Sequence, residues 1–345
     1  MTLTTQQMTL ETQQIQLDHG TGAMLSGELV EFIAQTLGDV YVGEMEDSAV
    51  LAVEGSHIAM TTDSFVVDPP FFGNGDIGKI AVCGTVNDLA VSGATPRYLT
   101  LGLILETGLP FDHLFQVLTS IRETAREAGV QIVCGDTKVV RAGEADQLYL
   151  NTSGVGFFSR EPLRMDAVRP GDAVVLSGPI GNHTVHLLSI REGLGFESRV
   201  RSDCAPLNTL IDRLFAVAPT GSIHSMRDVT RGGLSAVLHE YAGKLDKGIV
   251  IEAAALPIQH ETAMAADMLG INPLHCANEG CLAIFIDPAA TADVLATLHG
   301  HEYGRHAVAI GEVTARDGAA VVLRDSEGRE SILQPLRGAE LPRLC

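Results

Sequence analysis

Twice along this chain, short runs of β-branched and apolar residues alternate with amphipathic stretches, and the turn cluster Arg169-Pro170-Gly171-Asp172 separates the two series. In the first, SAVLAV and HIAMTTD flank residues 54–56 as a hairpin. A helix follows from Asp76, with Ile77, Ile80, Ala81, Leu89 and Val91 on its buried face and Pro96 ending the segment. Next come strand TLGLIL, a helix capped by Asp112 and Gly129, and strands QIVCGD and QLYLNTSGVGFF. The second series holds DAVVLSG, helices from Gly181, around Leu207 to Val217 and from Gly232, and strands GIVIE, CLAIFID and HAVAIGEV. Such alternation predicts a mixed α+β fold, and 345 residues exceed what a single core supports. The expected division is a lead with a glycine-rich loop at 1–40, a nucleotide-binding domain at 41–168, a second domain at 169–333 and a flexible tail at 334–345.

Composition narrows the function. A net charge of −20 without any basic run argues against nucleic acid as a partner. No apolar block marks a signal peptide, and no apolar run approaches the ~18 residues of a membrane span. A soluble, cytoplasmic protein with no membrane partner is expected. The six cysteines form no CxxC pair, so neither zinc nor a disulfide framework is indicated. Five read as ordinary buried thiols, while Cys345 stands last in the sequence behind QPLRGAELPRL, which has no core pattern. Fully extended, the ten steps from Pro335 to Cys345 span roughly 33 to 36 Å, enough to reach a distant site.

The chemistry gathers around acidic motifs. Asp47, Asp63, Asp88 and Asp136 lie in EDSAV, TTDSF, GTVNDLAVSGA and CGDTK, and each ends a strand or opens a turn. Singly, each is accounted for as a turn former or cap. Gathered, they would repel one another and need Mg²⁺, which links a few carboxylates to nucleotide phosphates. Asp228 in RDVTRGGL is a fifth candidate, or else a plain helix-terminal acid. Gly73 to Lys79 has the spacing G-x-x-x-x-G-K, but Ile80 replaces the Ser or Thr of a P-loop. That loop, and HGTGA with Gly20 and Gly22, could still cradle phosphate through backbone N–H groups, or be simple turns. Lys138 lies two residues after Asp136, on the same strand face, and could neutralise a phosphoryl group in transit. Glu279 in CANEGCL is either an exposed turn residue or a general base for a substrate nitrogen. His57, His183, His224, His239 and His275 show no metal-ligand spacing and read as structural or surface residues.

Taken together, HGTGA, DIGKIAVCGTVNDLAVSGA, CGDTKVV, RDVTRGGL, NEG and PRLC resemble the ATP-binding superfamily of aminoimidazole ribonucleotide synthetase, selenophosphate synthetase and thiamine monophosphate kinase. Within it, the reactive cysteine at the end of the tail is similar to the hydrogenase maturation family HypE. Ala23 and Leu344 depart from that family's usual glycine and isoleucine. The resemblance implies a PurM-like fold and a homodimer with a β-barrel-like interface between paired amino-terminal domains. It implies ATP and Mg²⁺ in an adjoining groove, with Asp47, Asp63, Asp88, Asp136 and Asp228 as ligands and Asn87 and Asn151 as polar neighbours. It further implies that a HypF-type carbamoyltransferase loads Cys345. The ATP-dependent dehydration of that carbamoyl group to thiocyanate would supply cyanide, through a HypC–HypD-type scaffold, to the iron of a nickel-iron hydrogenase. Two rivals remain at this level: a small-molecule synthetase or kinase of the superfamily, and a nucleotide-switched scaffold with a docking tail.

Overall fold

A computed structural model describes residues 14–16, 19, 24–41, 57–335 and 343–345. The run SAVLAV, the hairpin at 54–56, Asp47, Gly20, Gly22 and Ala23 lie outside the described residues.

The first half is a four-stranded sheet under three helices. Its strands are β1 (Ile58–Phe65), β2 (Thr95–Glu106), β3 (Gln131–Val140) and β4 (Leu148–Phe157), in spatial order β1-β4-β2-β3, with only β2 and β3 parallel. Strand alternation sends Leu99, Leu101, Leu103 and Leu105 of β2 into the core beneath α2 (Ile77–Val91), α3 (Phe111–Ala128) and α1 (Met24–Leu37). Among the described residues no helix covers the other face of the sheet, and Ile58, Met60 and Ile104 on it are 52%, 72% and 42% exposed. Asp76 caps α2, its Oδ1 accepting from the Lys79 N–H at 3.0 Å. The α3 cap is Pro110 rather than the expected Asp112, which sits in the first turn where it complements the helix dipole. Pro96 lies inside β2 at a register irregularity, and α2 ends earlier, at Val91.

The second half is a seven-stranded mixed sheet. Strands β5 (Ala173–Leu176), β6 (Ile223–Asp228), β7 (Lys247–Glu252), β8 (Leu282–Ile286), β9 (Val308–Asp317), β10 (Val321–Arg324) and β11 (Glu330–Ile332) lie in the order β11-β10-β7-β9-β5-β8-β6. Helices α4 (Asn182–Glu192), α5 (Asn208–Val217), α6 (Gly233–Leu245), α7 (His260–Leu269) and α8 (Thr291–His299) complete it. β8 shows why its sequence is apolar throughout: Ala283 and Phe285 enter one core with α6, while Leu282, Ile284 and Ile286 enter another with α5 and α8.

α2 joins the halves. It packs on β1 and β4 and also on β6 and α5, so it is buried nearly all round, beyond the single face its pattern predicts. The fold is therefore the expected α+β type with two sheets, and the site lies where they meet. No described helix is long and apolar enough to cross a membrane.

Candidate functional site

A cavity of about 770 Å³ opens along the outer edge of β1. Among the described residues no strand pairs with that edge over Ile58–Phe65, and these residues line the cavity. Asp63 comes from β1, Asp88 from α2, Asp228 from the end of β6, and Glu279 from the loop before β8. The same wall holds Cys345.

The last residues reach this place by extending the sheet. The Val66 N–H donates to the Cys345 main-chain oxygen at 2.9 Å, and the Asp68 N–H to the Arg343 oxygen at 3.3 Å, so 343–345 runs antiparallel to the continuation of β1. Arg343 adopts φ +55°, a left-handed conformation, and its side chain holds the bend by donating to the Val66 oxygen at 2.9 Å and pairing with Asp146 at 2.7 Å. Leu344 is buried in the first core, which leaves the Cys345 side chain facing the acids.

Charge in the cavity is strongly unbalanced. Burial, then the nearby Asp88 charge, pushes Asp63 up to about 6 and Asp228 up to about 7. Burial raises Glu279 well above the carboxylate range, with Cys204, Asp203, Asp228 and Asp63 adding to the effect. The Cys345 thiol rises to about 12, first through burial and then through Glu279, against a smaller pull from Arg231. Among the described residues no Lys or Arg forms an ion pair with Asp63, Asp88 or Asp228. Thr61 donates to Asp88 at 2.8 Å, tying α2 to β1. The donor set is hard, anionic and without a paired cation, which suits a divalent metal that also takes phosphate oxygens. Among the described residues, however, no three His, Cys, Asp or Glu side chains are arranged to hold a metal by themselves.

Glu279 is placed through its own backbone by the Asp203 carboxylate. Both carboxylate oxygens of Asp203 accept from the Glu279 and Gly280 N–H groups, at 3.0 and 3.1 Å. A Cβ on Gly280 would lie 1.9 Å from the Asp203 carbonyl oxygen, so only glycine permits this approach.

Other expected site residues stand elsewhere. Asp136 and Lys138 pair with each other at 2.5 Å on the open face of β3, the far edge of the first sheet, and the ammonium holds Asp136 below its usual range. Asn151 is on that open face too, donating to Ser64 Oγ at 3.0 Å. The Asp63 carboxylate points through the opposite face, so within one chain none of these side chains meets it, and Asn151 reaches only the Asp63 main-chain oxygen, at 2.7 Å. Asn87 is buried and clamps the halves, donating to the Ala205 oxygen at 3.1 Å and accepting from the Leu207 N–H at 2.7 Å. Lys79 is not in the cavity wall, and the loop before it is tied to the second half, Asn74 donating to the Ser202 oxygen at 2.8 Å. Cys134 is half-exposed rather than buried. Sequence reasoning did not name Arg231 or Asp203, and it read His183 as a structural or surface residue. The arginine was visible three residues after Asp228 in RDVTRGGL, but the other two matter only through contacts across the fold.

Comparison with known proteins follows the same outline. Models of the AIR synthase related protein family match residues 45–158 with its N-terminal domain and 169–324 with its C-terminal domain. The carbamoyl dehydratase HypE of Escherichia coli (strain K12) is 42% identical over 96% of this chain and 99% of its own. A crystal structure of the hydrogenase maturation protein HypE in complex with ATP superposes with a TM-score of 0.90 at 40% identity, covering 96% of this chain and 99% of that one. A crystal structure of a HypE–HypF complex aligns with a TM-score of 0.78 at 40% identity, over 89% of this chain and 99% of that one.

Proposed function

Since the chain belongs to the HypE family of carbamoyl dehydratases, we propose that its substrate is a carbamoyl group carried on the sulfur of its own Cys345, and that ATP drives removal of water to leave a thiocyanate. The observation that carries this reading is the seating of Cys345 in the same cavity as Asp63, Asp88, Asp228 and Glu279.

An amide oxygen leaves poorly until it is phosphorylated. The carbamoyl oxygen attacks the γ-phosphorus of ATP, ADP departs, and the nitrogen gives up one proton. The C–O bond then breaks, phosphate carries the oxygen away, and loss of the second nitrogen proton completes the C≡N bond. Glu279, which lines the same cavity as Cys345, is the proposed proton acceptor. Mg²⁺ bound by Asp63, Asp88 and Asp228 together with phosphate oxygens would supply neutralising charge. Asp47 is a further proposed ligand, and the loop with Gly20 and Gly22 a proposed phosphate contact. Water must be kept out while the phosphorylated intermediate lives, and the half-buried seat of Cys345 favours that.

Loading requires the tail to leave. A thiol held near 12 is no nucleophile at neutral pH, so a HypF-type carbamoyltransferase meets Cys345 in an undocked state. The neutral thiocarbamate then enters where a thiolate would be repelled. Transfer of cyanide to a HypC–HypD-type scaffold, for hydrogenase iron, is the proposed fate of the product.

Asp136, Lys138 and Asn151 lie on the uncovered sheet face with Met60 and Ile104. We assign that face to a homodimer, in which a second copy brings Lys138 toward the nucleotide. The decisive experiment is intact mass measurement after incubation with ATP, Mg²⁺, carbamoyl phosphate and the carbamoyltransferase. A carbamoyl adduct that loses one water only when ATP is present, and none on Cys345→Ala, is the expected result; ADP release with an unmodified chain would instead favour a small-molecule kinase.

A further inference from the structure

We propose that His183, backed by Ser202, is a latch that seats the last residues of the chain and thereby positions the Cys345 sulfur for dehydration. This rests on the reading that Cys345 carries the substrate, and it adds how the seat is built and what holds it shut.

Each of the last three residues has a main-chain oxygen that accepts a hydrogen bond. Arg343 O accepts from the Asp68 N–H and from the Arg191 guanidinium, Leu344 O from His183, and Cys345 O from the Val66 N–H. The seat therefore grips backbone, and the only side chain it swallows is that of Leu344, 5% exposed. His183 makes the central contact. Its ring is completely buried on α4 and edge-on to Phe72.

Hydrogen-bond direction along this line is determined. The Cys204 N–H donates to Ser202 Oγ at 3.2 Å, which leaves the serine hydroxyl proton free to point at His183 Nδ1, 2.7 Å away. The Leu344 carbonyl oxygen can only accept, so Nε2 of the neutral imidazole carries the ring proton and donates to it at 2.8 Å, and Nδ1 accepts from Ser202. Burial, which holds the imidazole down at about 4, keeps this neutral form at physiological pH. The peptide plane that contains the Leu344 oxygen also fixes the Cα of Cys345, so the direction of the thiol depends on this bond. His183 touches no reacting atom and is a positioning residue.

Two substitutions separate positioning from mere structure. His183→Gln keeps an N–H donor near the Nε2 position, whereas His183→Asn keeps a polar group near Nδ1 and loses the donor to Leu344. Cys345 alkylation by iodoacetamide, read on its own peptide, is expected to quicken about tenfold in His183→Asn and to change less than about threefold in His183→Gln, a tenfold change being the ~1.4 kcal/mol of one hydrogen bond. Single-turnover dehydration of the carbamoylated chain should slow by a similar factor in His183→Asn, with ATP affinity unchanged. Removing residues 343–345 should abolish the difference between the two variants in thermal midpoint. Equal losses in both variants, or a His183→Asn effect on stability that persists without 343–345 while alkylation stays slow, would overturn the latch. Alkylation needs neither ATP nor carbamoylation, so it judges the latch even if Cys345 proves never to be loaded.

Discussion

Seated against Glu279 and Asp63, the Cys345 thiol holds its proton far more tightly than a free cysteine does. Its affinity rises from an ordinary 9.0 to about 12, so docking is favoured in full below the free value and the advantage drains away as pH climbs toward about 12. The alkylation rate of Cys345 in the intact chain should therefore have its pH midpoint well above that of a synthetic peptide ending in PRLC. Coincident profiles would mean the sulfur does not occupy this seat in solution. Asp228 and Asp63 obey the same sign. Because both are raised in the folded state, the unliganded fold is favoured by their protonation at low pH and loses that contribution as pH rises through about 6 and 7. For Asp228 alone the loss is on the order of 4 kcal/mol. Thermal midpoints without metal should fall between about pH 4 and 7, less steeply in Asp228→Asn, and Mg-ATP should restore the parent above neutrality. A midpoint indifferent to pH would contradict this charge arrangement. At this scale the sequence singled out Asp63, Asp88, Asp228, Glu279 and Cys345, which line one cavity, but also Asp136, which stands on the far face of the sheet. The place of His183 was not legible, because its partner lies 161 positions away along the chain.

Elements were easier to read than the faces they present. α2 and β8 followed from apolar pattern and turn chemistry, and Gly129 ends α3 in the left-handed conformation that its position predicted. β6 escaped notice. IHSMRD mixes polar and apolar residues without a period, and it is buried because His224 and Ser225 find partners inside, Asp172 at 2.6 Å and Tyr241 at 2.6 Å. Spacing put Asp136 and Lys138 on one face, and they do share it. What spacing could not say is which side of the sheet that face is, because strand order and helix placement decide it. The loop that aims Glu279 is the element most sensitive to substitution. Gly280→Ala would drive a methyl into the 203–205 backbone, and the expected cost is about 3 kcal/mol or more, with loss of dehydration beyond what the lower stability explains. A variant with parental melting behaviour and full activity would show that the contact between these two segments is dispensable.

At the scale of the whole molecule, the placement of Lys138 forces a choice. β3 lies three strand spacings from β1, roughly 14 Å, with its Asp136–Lys138 pair on the opposite side of the sheet from Asp63. If Lys138 neutralises the transferred phosphoryl group near Cys345, it must come from a second chain, and the uncovered face bearing Ile58, Met60 and Ile104 is where that chain would pack. Replacing Met60 and Ile104 together by aspartate should then yield monomers by sedimentation and abolish dehydration, although Cys345 remains in its own cavity. Mixing gives the sharper outcome. Lys138→Ala and Cys345→Ala chains are each inactive alone in this scheme, but a mixed dimer holds one site with both residues intact. Partial recovery of thiocyanate on the Lys138→Ala chain, detected by mass, is expected after subunit exchange. No recovery despite demonstrated exchange would remove Lys138 from the mechanism in trans and leave Glu279 as the proton acceptor without a cationic partner from β3.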